Sequence, residues 1–354
     1  MVTVLKILTG SRGRAGRACA GRLALAAATV VGPLVVPGVR PRGVMAHAAG
    51  KPPATYRNPV FARDFPDPDV IKVGRAYYAY ATATAWEAPD HVFPILRSRD
   101  LVHWQYVGDA MPSSPAWSNG NYWAPGVVEH NGTFYLYYVG KDLRLDRNCV
   151  AVATAGRPSG PFTHRAVLGC GDAGTAGYID PQPFIDTAGR AYLYFKKDNP
   201  VHIISVVRLR PDLLHVAGPI KDLLKLDQTW EFGSYSTVEA PFVIKHGRTY
   251  VLFYSGNNWE DNYAEGYATS ASPLGPFKKY AHNPILRSKG SVIGPGGASL
   301  VEGPHGGWWM VYHAWSGGPG YKAGGVRTLR IDPIYWRSNT ISVRGPTTGP
   351  EPAP

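Results

Sequence analysis

The chain has 354 residues, 44% of them hydrophobic and 12% aromatic, with 41 Gly, 32 Pro and 21 Tyr. That composition suits one large β domain, or two ordinary domains, built on short strands and tight turns rather than long helices. The formal charge of +12 is unevenly placed: residues 1–48 carry seven Lys or Arg and no acid, which leaves +5 on the remainder without a basic run. Nucleic acid is therefore not an expected partner.

Taken in chain order, residues 1–48 read as a secretion signal. An Arg-rich start precedes the apolar run Leu23 to Val36, and Ala46-His47-Ala48 supplies a small-residue cleavage pattern. The run is short and interrupted by Gly32 and Pro33, which argues against a membrane span. Arg40 and Arg42, between the run and the cleavage pattern, are atypical of such signals. The expectation is a secreted protein with no membrane association once the signal is removed. Residues 49–57 form a lead-in.

From residue 58 one pattern recurs five times: two apolar residues, a polar turn containing Gly, then an aromatic-rich strand. The five copies are VIKVGRAYYAYAT, VVEHNGTFYLYYV, FIDTAGRAYLYFK, FVIKHGRTYVLFY and LVEGPHGGWWMVYHAW. Their turn glycines, Gly74, Gly132, Gly189, Gly247 and Gly306, are separated by 58, 57, 58 and 59 residues. A repeat of that length with period-2 apolar alternation is one four-stranded propeller blade. The sequence therefore predicts an all-β fold, a single five-bladed β-propeller over residues 58–345, with Thr340 to Gly345 as its last strand. The Pro-rich tail, residues 346–354, is expected to be disordered. Cys149 and Cys170 remain after the signal is cut away, either as a disulfide, which an oxidising compartment permits, or as two buried thiols.

The residues just before each repeat carry the chemistry. They read DPDVI, WAPGVV, DPQPFI, EAPFVI and GPGGASLV. In a propeller the innermost strands enter from one face and converge on the axis, so residues distant in sequence share one pocket. Asp67, Asp180 and Glu239 are placed there by the first, third and fourth units, with no Lys or Arg at the matching positions. Convergent carboxylates repel one another, and such a cost is characteristic of catalytic sites. Asp64 and Asp69, which flank Asp67 at short distance, read as turn or solvated residues.

With these stretches in register, the chain resembles glycoside hydrolase family 43, whose catalytic domain is a five-bladed propeller with two Asp and one Glu at its centre. The likeness covers nearly all of the chain after the signal and includes NPVFARDFPDPDVI, SRDLVHW, WAPGVVEHNGTFYLYY, IDPQPFID, VEAPFVIKHGRTYVLFYSG and GPGGASLVEGPHGGWWMVYHAW. The resemblance implies that Asp67 is the general base, Glu239 the general acid, and Asp180 the residue that positions Glu239 and favours its protonated form. It implies hydrolysis with inversion of configuration at the anomeric carbon. Arg327 matches a family arginine that contacts substrate or the acid–base pair. Trp123 adjoins the matched position of the second unit and is the first aromatic candidate for sugar binding, with Trp86, Trp117, Trp259 and Tyr235 weaker. Many members carry a His where this chain has Gly297, and that His helps hold an ion or water near the axis. No metal ligand is therefore carried over, His313 included, and the implied chemistry requires no cofactor, calcium included.

The expected function is a secreted inverting glycosidase acting on a polysaccharide or oligosaccharide, with α-L-arabinose linkages of arabinan or arabinosyl side chains favoured. Two alternatives stand beside it: a β-1,4-xylosidase acting on xylo-oligosaccharides, and a non-catalytic sugar-binding propeller. An invertase-like propeller is disfavoured because FPDPD, not Asn-Asp-Pro-Asn, opens the first unit.

Overall fold

In the computed structural model, residues 55–86, 91–337 and 340–354 are described. Residues 1–48, read above as a secretion signal, lie outside them. Five antiparallel sheets follow one another along the chain. Their innermost strands are Asp69–Val73, Gly126–His130, Tyr178–Ile185, Val238–His246 and Ile293–Glu302. Each is followed by a tight hairpin and a strand that returns to the face where the inner strand began. This is a five-bladed β-propeller.

Both faces of each sheet are buried, which explains why the second strands are so aromatic. Side chains alternate across a strand, so the adjacent and fully buried Tyr137 and Tyr138 pack in different clusters. Tyr138 packs with Tyr80 and Ile95 between blades one and two, and Tyr137 with Leu193 and Val207 between blades two and three. Five such clusters fill the five gaps between blades. Each fully buried aromatic or aliphatic side chain contributes about 1.5–3 kcal/mol. The buried phenols also need acceptors. Tyr80, Tyr137 and Tyr194 donate across the gaps to the carbonyls of Pro158, Leu213 and Pro273, at 2.7, 2.7 and 2.6 Å.

The ring is closed by residues 61–64. Phe61–Asp64 adds to the fifth sheet beside Val326–Arg337, with Phe61 opposite Leu329 and Asp64 opposite Thr328. Thr340–Val343 pairs with the other half of the same long strand. The amide of Asn58 bonds both backbone groups of Ile331. One expectation is corrected here: the Pro-rich tail is ordered, since Glu351–Pro352 pairs with Thr55–Tyr56. Pro tolerates such a two-residue edge pairing because an edge strand leaves one set of N–H positions unused.

Candidate active site

The sheets begin alike at the axis. Asp67, Ala124, Asp180, Ala240 and Gly297 all stand in the left-handed region, with φ of 51°, 41°, 55°, 49° and 59°. For a non-glycine residue that conformation costs about 1–2 kcal/mol. It persists here because the neighbouring blade holds the backbone. Ala124 N–H donates to Thr82 Oγ1 (2.7 Å), Ala240 N–H to Asp180 Oδ2 (2.9 Å), Gly297 N–H to Ser255 Oγ (2.9 Å) and Asp67 N–H to His313 Nδ1 (3.0 Å). The strand register shows that Glu239 lies one residue before this position. Its ladder partner is Ser255, and the irregularity at Ala240-Pro241 matches those at Asp180-Pro181 and Gly297-Ala298. The extra methylene of Glu compensates for the earlier start.

A cavity of about 350 Å³ opens over these strand starts, lined by Asp67, Asp180 and Glu239 together with Thr82, Trp123, Trp259, Tyr263, Tyr321 and Arg327. The three carboxylates predicted to converge therefore share one pocket. Below it the axis narrows to a cavity of about 40 Å³. A groove of about 730 Å³ along the outer edges of blades three and four brings together no comparable set: its Lys279 is paired with Asp227 and Glu231.

The surroundings of the three acids differ. Asp67 accepts from Thr82 Oγ1 at 2.6 Å, and Arg327 NH1 lies 3.4 Å from both of its oxygens. Asp180 sits deep in the pocket floor, where burial and then the Glu239 carboxylate push its pKa well above the usual range, against the opposing pull of Lys196. Glu239 is buried, with Lys196 Nζ at 2.7 Å from Oε2 and Thr237 Oγ1 at 3.3 Å from the same oxygen. Tyr263 faces all three: burial first, then Glu239, Asp180 and Asp67, raise its pKa far above that of a free phenol. His313 is fully buried, and desolvation, with Arg327 beside it, depresses its pKa well below the usual imidazole value. It is therefore neutral and accepts from Asp67 N–H through Nδ1.

Of the binding candidates, Trp123 lines the pocket and is 37% exposed, and Arg327 also lines it. The guanidinium of Arg327 is boxed by Trp259, Trp315 and Tyr321 at 5.3, 5.8 and 5.6 Å. Trp259 thus belongs to the site. Tyr235 is not among the residues lining the pocket; its ring lies 5.7 Å from Lys196 Nζ and edge-on to His202. Trp86 packs on Phe61 and His91, and Trp117 on Tyr138 and His164. The reading of Asp64 and Asp69 as solvated is also corrected, since both are buried. Asp64 accepts from Arg327 N–H and Tyr321, and Asp69 from Val127 N–H of the next blade. Thr82 and Lys196 are the last residues of two copies of the repeat, and Tyr263 and Tyr321 lie outside it; the repeat itself marks none of the four as belonging to the site. Among the described residues no three His, Cys, Asp or Glu form a metal-ligand set. Gly297 offers no imidazole, and His313 accepts from Asp67 N–H through Nδ1 while its buried Nε2 has no hydrogen-bond partner.

The model of glycosyl hydrolases family 43 matches residues 56–341. The chain belongs to this family. It is 30% identical over 272 residues to a non-reducing-end α-L-arabinofuranosidase of Bacteroides ovatus, covering 73% of this chain and 47% of that one. It is 31% identical over 274 residues to a β-D-galactofuranosidase of Aspergillus niger, covering 72% and 75%. Among solved structures, a thermostable family-43 glycoside hydrolase superposes with a TM-score of 0.75 at 34% identity, covering 85% of this chain and 99% of that one. The chain spans only about half the length of the Bacteroides relative. Other relatives are named as a putative β-xylosidase and as an extracellular endo-α-(1→5)-L-arabinanase, so membership of the family does not select a sugar.

Proposed function

We propose that this family-43 glycoside hydrolase is an exported, inverting, exo-acting enzyme that removes terminal α-L-arabinose units from arabinan or from arabinosyl side chains. The observation that carries the reading is the convergence of Asp67, Asp180 and Glu239 on one small pocket with aromatic walls. Asp67, fixed by Thr82 and faced by Arg327, takes a proton from a water whose oxygen attacks the anomeric carbon. Glu239 gives its proton to the departing glycosidic oxygen as the bond breaks. That proton is the one favoured on Asp180, which passes it to Glu239, ion-paired with Lys196 in the resting site, so that Glu239 carries it when the bond breaks. Positive charge developing on the sugar ring faces the carboxylates. Trp123 and Trp259 offer flat faces to a sugar.

A cavity of about 350 Å³ is at the small end of ligand sites, which supports removal of single terminal units over cleavage within a chain. The arabinose preference draws on the arabinofuranosidase among the relatives. Export draws on the signal-like leader and on the Cys149–Cys170 disulfide, a bond at home in an oxidising compartment.

The test is product analysis on linear arabinan, branched arabinan, xylo-oligosaccharides and a galactofuranoside, with proton NMR of the first anomer released. The reading requires β-L-arabinose as the initial and sole product. Glu239→Gln should lower kcat by about 10²–10⁴-fold on natural linkages and much less on aryl glycosides with good leaving groups. A protein that binds arabinan and hydrolyses none of these substrates is a lectin, and the proposal fails. N-terminal sequencing of the protein from culture medium tests export.

A further inference from the structure

Asp64 is not used by the mechanism above, yet it is among the most heavily bonded carboxylates near the site. It lies on Phe61–Asp64, the strand that closes the ring. Oδ1 accepts from Arg327 N–H at 2.7 Å, and Oδ2 from Tyr321 Oη at 3.0 Å and from Thr84 Oγ1. Its own carbonyl accepts from Trp86 Nε1 at 2.6 Å, and Phe65 N–H returns to the Arg327 carbonyl at 2.7 Å. One buried side chain thus ties together the first strand, the first-blade loop, the mouth loop of blade five and the strand that carries Arg327.

The bonds continue to Asp67. A phenol has one proton to give and two lone pairs to accept with. Tyr321 gives its proton to Asp64, and its lone pairs receive Arg327 Nε at 3.2 Å and NH2 at 3.1 Å. That leaves NH1 of the same planar group turned to Asp67, 3.4 Å from each oxygen. Contacts of 3.4 Å are too long to orient a guanidinium by themselves, so its direction is set by the hydrogen bonds to Tyr321 between the flanking rings of Trp259 and Trp315. Tyr321 is in turn 47% exposed on a loop with glycines at 317, 318, 320, 324 and 325. Asp64 fixes it, together with the rings of Trp315 at 4.9 Å and Trp259 at 6.3 Å.

We infer that Asp64 is a positioning residue for the catalytic base, acting through Tyr321 and Arg327, so that closing the propeller ring also completes the catalytic centre. The inference rests on Asp67 being that base. A role in stability alone would predict that loss of Asp64 removes folded protein but leaves each folded site at full speed.

The experiment compares Asp64→Ala, Asp64→Asn and Tyr321→Phe with Asn58→Ala, which loosens ring closure at Ile331 without touching the pocket. Intact sites are counted by calorimetric titration with L-arabinose or D-xylose, whichever the wild type binds. Per intact site, Asp64→Ala should lose about 100-fold in kcat, the scale of a catalytic group displaced by about 1 Å. The loss should be equal for aryl pentosides with good and poor leaving groups, because it falls on water activation. Tyr321→Phe should share the direction, and Asn58→Ala should lower Tm with kcat within twofold of wild type. A crystal structure of Asp64→Ala should show the Arg327 guanidinium turned away from Asp67. Full activity per intact site in Asp64→Ala, or an unmoved Arg327 in its structure, overturns the inference. A wild type inactive on every pentoside and on the galactofuranoside instead overturns the role of Asp67, and the crystal structure then decides the positioning alone.

Discussion

Lys196 reaches Glu239 from the neighbouring blade, its ammonium 2.7 Å from Oε2 and 2.8 Å from Asp198 Oδ1, with no exposed surface on the lysine side chain. Burial alone would drive the proton off such a group. Glu239 and Asp198 outweigh it and keep the ammonium charged, with a pKa well above the usual lysine value.

Replacing Lys196 by Met should therefore leave two buried carboxylates uncompensated. Removing one partner of a buried ion pair costs about 3–5 kcal/mol, and thermal unfolding of Lys196→Met should show a loss of that order. Activity should fall with it, because Glu239 loses the contact that fixes Oε2. Arg at this position should not restore wild-type behaviour, since a planar fork cannot occupy the site of a compact ammonium. Unchanged Tm in Lys196→Met would contradict the buried pair.

Asp69 makes the stability of the fold depend on pH in a stated direction. Burial, opposed only by the bond from Val127 N–H, raises its pKa from 3.8 to about 7, and burial raises that of Glu265 from 4.5 to about 8. The folded state then binds more protons than the unfolded one between pH 4 and 8, so stability falls as pH rises through that window. Asp69→Asn keeps an acceptor for Val127 and cannot ionise. Its stability should match wild type near pH 4 and exceed it increasingly up to about pH 7, above which the difference levels off at on the order of 4 kcal/mol; melting curves across that range check it. A difference in Tm that is constant from pH 4 to 9 would show that Asp69 does not titrate in the fold.

The repeat was legible because it is local: a glycine turn and an alternating aromatic strand are specified within about fifteen residues, and five copies at one spacing leave few architectures. Asp67 and Asp180 were legible because a proline follows each at the start of an inner strand. Glu239 was legible as well, though its one-residue offset appears only in the strand register. Lys196, Thr82, Tyr263 and Tyr321 were not, since what brings them to the axis is the packing of one blade on the next. Asp64 and Asp69 misled for the same reason. DFPDPD has the composition of a solvated turn, and what buries it are donors from elsewhere, Arg327 N–H and Val127 N–H. Closure by residues 61–64 and by the tail was equally hidden, because it pairs segments some 265–300 positions apart.

Gly297 differs from its four counterparts for reasons of space. Asp67, Ala124, Asp180 and Ala240 show that a side chain tolerates positive φ at this position. At Gly297 a Cβ would lie 2.7 Å from His313 Cε1, 2.8 Å from Nδ1 and 3.1 Å from Asp67 Oδ1. Gly297→Ala should therefore push His313 off Asp67 N–H and shift the aspartate. The expected result is a kcat reduced at least tenfold by misplacement, with a stability loss of about 1–3 kcal/mol from overpacking. Steady-state kinetics beside a melting curve check it. Wild-type kcat in Gly297→Ala would mean that the axis can expand.

The Cys149–Cys170 disulfide joins the third strand of blade two to the end of its fourth, just before the loop that leads into Tyr178–Ile185 and Asp180. Gly177 in that loop passes so close to Asn148 that a Cβ would meet its carbonyl oxygen at 2.0 Å. The approach and the disulfide together hold the entry of the third inner strand. With the cysteines 21 positions apart, the bond should contribute about 3 kcal/mol, mainly by restricting the unfolded chain. Cys149 is wholly buried, so mild reductant on the folded protein should do little at 25 °C. The double variant Cys149→Ser, Cys170→Ser should instead lower Tm by several degrees while kcat at 25 °C stays within about twofold, because the hydrogen bond from Ala240 N–H still holds Asp180. Calorimetry and initial rates separate the two effects. A variant that melts normally but turns over slowly would move the disulfide from stability to catalysis.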